Sequence, residues 1–140
     1  MQPTPIPYLF FRGDCAAALT HYADVFDAEA PEILTVAASP AGAMMPAEVQ
    51  HLVMHGALKV GEGWIYGADD VMGETAAMAG SSLAISFPTV DKARAVFDGL
   101  AEGGTVRMPF KAEFFTPGMG ALTDRFGIRW MVLTDDPKET

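Results

Sequence analysis

The sequence predicts an α+β fold of two βαβββ modules. Curved mixed sheets enclose a cleft, and one helix lies on the outer face of each sheet. Three observations lead there. First, the chain alternates short apolar runs with two amphipathic helical stripes, each preceded by one strand and followed by three. Second, the stripes superpose: Ala18, Tyr22 and Val25 match Ala93, Phe97 and Leu100, each offset by 75 positions in a chain of 140 residues, which points to an internal duplication. Third, residues 119–133 (MGALTDRFGIRWMVL) read as strand, tight turn, strand. Asp124 suits the first position of a type I turn and Gly127 the fourth. Beyond the turn, Ile128, Trp130 and Val132 share one face, and Arg129, Met131 and Leu133 the other.

In order, residues 6–11 (IPYLFF) form an apolar strand with Pro7 at its start, because proline cannot donate to a ladder. Asp14 suits a helix N-cap, and Cys15, Ala18, Leu19, Tyr22, Val25 and Phe26 make one helical stripe. Residues 32–38 are a strand, 39–48 a loop, and 49–60 a longer strand that turns at Gly61-Glu62-Gly63 into another over 64–68. Asp69 and Asp70 read as turn formers. Residues 82–87 open the second module. Thr89 caps a helix carrying Val90, Ala93, Val96, Phe97 and Leu100, and Gly103-Gly104 ends it. A strand over 105–110, a loop over 111–118 and the closing hairpin follow. The chain is read as a single domain, 1–140, with module 1 over about 1–70, a polar linker over about 71–80 and module 2 over about 81–140.

Nine basic residues against 18 acidic ones give a net charge of −9. Such a chain repels phosphate backbones and lacks the Lys/Arg cluster that holds an anionic membrane, so neither nucleic acid nor a membrane is an expected partner. Charged ligands that gain from the long-range field are cations. One cysteine, Cys15, allows no intrachain disulfide, and its place on the helical stripe reads as packing. The first residues show no signal peptide and no run is long enough to span a bilayer, so a cytoplasmic location is expected. There is no phosphate-cradling glycine loop, nucleophile elbow or G-x-G-x-x-G, so no cofactor is expected.

Several segments together carry a resemblance. They are Pro7 to Phe11 (PYLFF) with Gly13, Tyr22 to Phe26 (YADVF), His55 to Leu58 (HGAL), Ala101 to Gly104 (AEGG), Met108-Pro109 and Thr123 to Val132 (TDRFGIRWMV). In these the chain resembles the vicinal oxygen chelate superfamily (glyoxalase I, bleomycin-resistance proteins and extradiol dioxygenases). It is most similar to the PhnB-like branch, sometimes labelled 3-demethylubiquinone methyltransferase-like. The missing glycine fingerprint gives that label no support. The resemblance implies paired βαβββ modules around a ligand cavity, a homodimer, and, in metal-dependent members, one His, Gln or Glu on the first and fourth strands of each module. Carried over, those positions fall on Pro7, on Tyr66 or Gly67, on Ser82 and on Met131. None suits Zn²⁺, Ni²⁺, Mn²⁺ or Fe²⁺, which take imidazole and carboxylate, so no metal site is expected.

The remaining candidates each have a plain alternative. His51 and His55 lie four apart, and on a strand that spans about 13 Å, too far to share one ion. His55 is a candidate pocket acid, base or donor, against a histidine merely satisfied within the sheet. Trp64 and Tyr66 share a face, as do Leu9 and Phe11; these faces line a pocket if concave and are core if convex. Arg129 shares Met131's parity and can orient a carboxylate or phosphate, against a solvated charge at a strand end. The expected ligand-binding set is therefore Phe11, His55, Trp64, Tyr66, Ser82, Arg129 and Met131. The function it suggests is a metal-free small-molecule binder of the sequestration or resistance type. The alternative is a glyoxalase- or dioxygenase-like enzyme, either metal-dependent with relocated ligands or a metal-free isomerase using His55.

Overall fold

A computed structural model describes residues 3–135, so the outer ends assigned to the two modules, residues 1–2 and 136–140, lie outside the described residues. The chain forms two compact units, 1–76 and 77–140. Each is a four-stranded mixed sheet with one 12-residue helix, as the sequence predicts. No helix among the described residues is long and apolar enough to cross a membrane.

In the first unit the elements are β1 (Tyr8–Phe11), α1 (Cys15–Phe26), β2 (Glu32–Thr35), β3 (Val53–Val60) and β4 (Gly63–Asp69). The strand order is β1-β4-β3-β2, with β1 parallel to β4 and the other pairs antiparallel. Register fixes the faces, because directly paired residues point the same way. Tyr8 pairs with Tyr66, and Tyr66 with Ala57. Tyr8, Phe10, His55, Trp64 and Tyr66 therefore share the face away from the helix. Leu9, Phe11, Leu58 and Ile65 share the other and are buried with Cys15, Ala18, Leu19 and Tyr22 of α1. The helix approaches closely at Gly56, where a Cβ would lie 2.6 Å from the Leu19 side chain.

Three local expectations are corrected here. Asp14 precedes α1 but makes no side-chain cap bond. The N-terminus is instead held by Asp69, whose Oδ1 accepts from the Gly13 and Cys15 backbone N–H groups at 2.9 Å each, and whose Oδ2 accepts from Val53 at 2.8 Å. Asp69 is thus a buried tie between β4, β3 and the helix, not a turn former. The strand expected from residue 49 starts at Val53, because Gln50 turns back to donate to the Gly42 and Met45 carbonyls and stabilises two short 3₁₀ turns.

The second unit repeats the order: β5 (Leu83–Phe87), α2 (Val90–Ala101), β6 (Thr105–Glu113), β7 (Thr116–Thr123) and β8 (Arg129–Thr134), arranged β5-β8-β7-β6. Thr89 caps α2, accepting from Lys92 N–H at 3.2 Å. Ala93, Val96, Phe97 and Leu100 are buried, together with Leu122, Trp130 and Val132 of the sheet. The Asp124–Gly127 turn closes with a 3.0 Å bond from Gly127 N–H to the Asp124 carbonyl, and Gly127 has φ of 90°. The loop expected over 111–118 is instead a hairpin, with strand residues on both sides of Phe114 and Phe115. Two phenylalanines carry none of the usual turn signals, and Pro117 stands inside β7, where a proline is uncommon. Pro109 is accommodated because β6 is an edge strand with register shifts.

Candidate functional site

The chemistry-bearing side chains of the first unit gather on the sheet face away from α1. Tyr8 Oη lies 3.0 Å from His55 Nδ1. The His55 ring sits 5.0 Å from Tyr66, edge-on, and 5.6 Å from Tyr8. Trp64 extends the row 6.3 Å beyond Tyr66, and Phe10 flanks Tyr8 at 5.2 Å. Parity brings β1, β3 and β4 to this arrangement. Tyr8 and Tyr66 are register partners on adjacent strands, and His55 lies one strand further over. Burial first, and the Cys15 thiol second, push the Tyr8 phenol up, so it stays protonated near neutrality. A Tyr8 O–H that donates to Nδ1 leaves His55 with its proton on Nε2, as a donor towards a ligand.

Of the expected set in this unit, His55, Trp64 and Tyr66 are brought together and Phe11 is not. Phe11 is 2% exposed, on the helix side, where its ring lies 3.2 Å from the place a Gly67 Cβ would occupy. The shared parity of Leu9 and Phe11 sends both into the core, and the intervening Tyr8 and Phe10 take the other face. The signal was available, since Tyr8 and Phe10 alternate with the two core residues. What sequence could not fix was which pair the helix covers. His51 lies off the strand, exposed in the turn before β3. Cys15 is fully buried, and burial, then Asp69 and Asp14, push its thiol up to about 12, which suits packing and not nucleophilic chemistry.

In the second unit, register places Ser82, Ala84, Arg129, Met131 and Leu133 on the side away from α2. Met131 and Arg129 are half-buried. Arg129 Nε donates to the Ser81 carbonyl at 3.0 Å, and its backbone N–H meets Met78 Sδ at 3.3 Å. Sequence reasoning missed Arg107. Its Nη2 donates to the Leu122 carbonyl at 3.2 Å and lies 3.5 Å from Ser82 Oγ.

The divalent-metal positions of the fold can be tested against these side chains. Pro7 precedes β1 and offers its carbonyl to Tyr66 N–H at 3.0 Å, so the residue of the first strand on the face away from α1 is Tyr8, one position later. Tyr66, not Gly67, is the corresponding residue of β4, because Gly67 packs against Phe11 and Cys15. The donors are then two phenols in the first unit, and a hydroxyl and a thioether in the second. Neither pair fits a borderline divalent ion. Among the described residues no three His, Cys, Asp or Glu side chains gather as a ligand group.

Comparison with known proteins agrees with this architecture. The family model described as Glyoxalase/Bleomycin resistance protein/Dioxygenase superfamily matches residues 6–132. Protein YjdN of Escherichia coli (strain K12) is 27% identical over 134 residues, 90% of this chain and 91% of its own length. The crystal structure of PA1353 from Pseudomonas aeruginosa superposes with a TM-score of 0.86 at 31% identity, covering 96% of this chain and 98% of that one. A Bacillus cereus PhnB protein, described as a putative 3-demethylubiquinone-9 3-methyltransferase, shares the fold at TM-score 0.76 and 22% identity, over 95% of this chain and 100% of its own.

Proposed function

The chain belongs to the glyoxalase/bleomycin resistance protein/dioxygenase superfamily, and we propose that within it this protein binds a small organic molecule without a divalent metal at the usual positions. The observation that carries this reading is the Tyr8–His55–Tyr66–Trp64 row. Tyr8 is 41% and Trp64 38% exposed, a degree of exposure that leaves aromatic faces available for contact. Such faces attract cations, and the chain's −9 charge draws cations towards it. An aromatic or organic cation is therefore the ligand class favoured, with His55 Nε2 and the Tyr66 hydroxyl as polar handles.

Equilibrium dialysis and thermal shift against a panel of aromatic and quaternary amines test the reading. A saturable rise in melting temperature is expected, with Trp64→Ala weakening the best ligand about tenfold. Stoichiometric zinc, nickel, manganese or iron retained through dialysis, with no amine response, overturns it.

The Tyr8–His55 bond supports a second reading, an enzyme that moves a proton through His55. If a turned-over substrate is found, His55→Gln separates the two: retained turnover removes His55 as the acid or base.

The proposal includes a homodimer, as the family resemblance implies, and a cytoplasmic location. Phe114, 99% exposed at the β6–β7 tip and stacked edge-on against Phe115 at 5.0 Å, is the apolar feature offered as support. Sedimentation equilibrium is expected to give twice the 14.9 kDa chain mass, and Phe114→Asp to weaken the association. A monomer at every concentration measured ends that part of the proposal.

A further inference from the structure

We propose that Ser82, Arg107 and Arg129 form an oxyanion site on the second unit, taking a carboxylate or phosphate-type group of a small molecule. The inference rests on this unit alone and stands or falls apart from the aromatic row of the first.

Two guanidinium groups converge on one short segment. Arg129 Nε donates to the Ser81 carbonyl at 3.0 Å, and Arg107 Nη2 lies 3.5 Å from the hydroxyl of the next residue, Ser82. They arrive from different strands. Arg129 begins β8, beside Ser82 by the β5–β8 register. Arg107 comes from the far edge strand, β6. The register there passes from Val106↔Leu122 to Met108↔Ala121, so Arg107 is the extra residue of a bulge. A bulge re-aims a side chain that regular pairing would direct elsewhere. Here it leaves the Arg107 guanidinium over the ladder, anchored on the Leu122 carbonyl at 3.2 Å.

Neither guanidinium is ion-paired among the described residues, where the one salt bridge is Lys111–Glu113. In a chain with 18 acidic residues, two arginines brought together without a carboxylate are an unbalanced charge. Each uses one nitrogen on protein oxygens and keeps further N–H donors of its planar fork. Such forks match the oxygens of carboxylates and phosphates, and the Ser82 hydroxyl supplies a neutral donor. The chain's net charge does not forbid this. At physiological salt, screening acts over about 8 Å, so the two nearest charges outweigh the distant carboxylates.

The test uses the full chain at constant ionic strength, with inorganic phosphate, succinate and sodium chloride as probes. Binding is read from the arginine Nε–H resonances and from the melting temperature. Phosphate or succinate is expected to bind saturably and shift the Arg129 Nε–H signal, and whichever binds tighter distinguishes a tetrahedral from a planar group. Arg107→Gln and Arg129→Gln are each expected to weaken binding about tenfold or more. Lys92→Gln, which removes the same charge from α2, is expected to leave it unchanged. Since Arg129 also anchors Ser81, Arg107→Gln at an exposed residue decides the matter if Arg129→Gln fails to fold. No saturable response, a response equal to that of chloride, or binding indifferent to Arg107→Gln overturns the proposal.

Discussion

Replacing Asp69 by alanine is expected to cost about 4 kcal/mol of unfolding free energy, a large part of the roughly 5–15 kcal/mol that holds a typical domain. The carboxylate is 6% exposed and accepts from three backbone N–H groups, those of Gly13, Cys15 and Val53. Two of these lie at the start of α1, where the first turn has no intrahelical acceptors and the native Asp14 side chain supplies none. Alanine removes the cap, worth about 1 kcal/mol, and leaves the remaining donors buried without an acceptor, at about 1–3 kcal/mol each before relaxation. Asp69→Asn keeps one acceptor oxygen but presents an amide NH₂ to a donor, so a smaller loss of about 2 kcal/mol is expected. Urea denaturation of the three proteins measures the series. A loss under about 1 kcal/mol for alanine is incompatible with a central structural role, since surface changes fall in that range.

Asp69 also shows where sequence reasoning stopped. The helix, its stripe and its starting residue were legible because they are local and periodic. The cap was not, because its donor groups and its acceptor lie 54 and 56 residues apart. A pair of aspartates after a strand matches a turn, and for Asp70 that reading holds: its carboxylate accepts from Met72 and Glu74 N–H and from the Thr75 hydroxyl. Nothing in the dipeptide distinguishes the buried neighbour from the half-buried one. The candidate site divides the same way. Trp64 and Tyr66 were legible as one face by strand parity, while His55, on the neighbouring strand, joins them only through the β3–β4 register. Phe11 was misplaced because parity gives two faces without naming which one the helix covers. Arg107 left no signal, since the bulge that aims it is a mismatch between two strands, invisible in either one. The 111–118 hairpin escaped because its turn residues, Phe114 and Phe115, obey no turn preference.

In the second unit, Asp124→Ala is expected to cost about 3–4 kcal/mol, and a double-mutant cycle with Trp130→Phe to recover much of that as coupling. Here sequence anticipated half of the role. The backbone turn to Gly127 is present, with Asp124 at its first position. The side chain does more than turn the chain. Oδ1 accepts from Phe126 and Ile128 N–H at 2.9 and 3.0 Å, and Oδ2 accepts from Trp130 Nε1 at 2.9 Å. Asp124 is 3% and Trp130 1% exposed, so these bonds form away from water, where losing an acceptor is most costly. Trp130 packs on the α2 side of β8, and its indole N–H requires a partner at that depth. The turn aspartate therefore fixes the loop and at once satisfies the largest fully buried side chain among the described residues. Trp130→Phe removes the indole bond and leaves part of the indole volume empty, for about 2–3 kcal/mol. If one bond links the two losses, the double variant is expected to fall short of their sum by about 1.5 kcal/mol or more, as for bonds to charged groups. Strict additivity in urea denaturation would mean that the carboxylate acts through the turn alone and that the indole gains nothing from it.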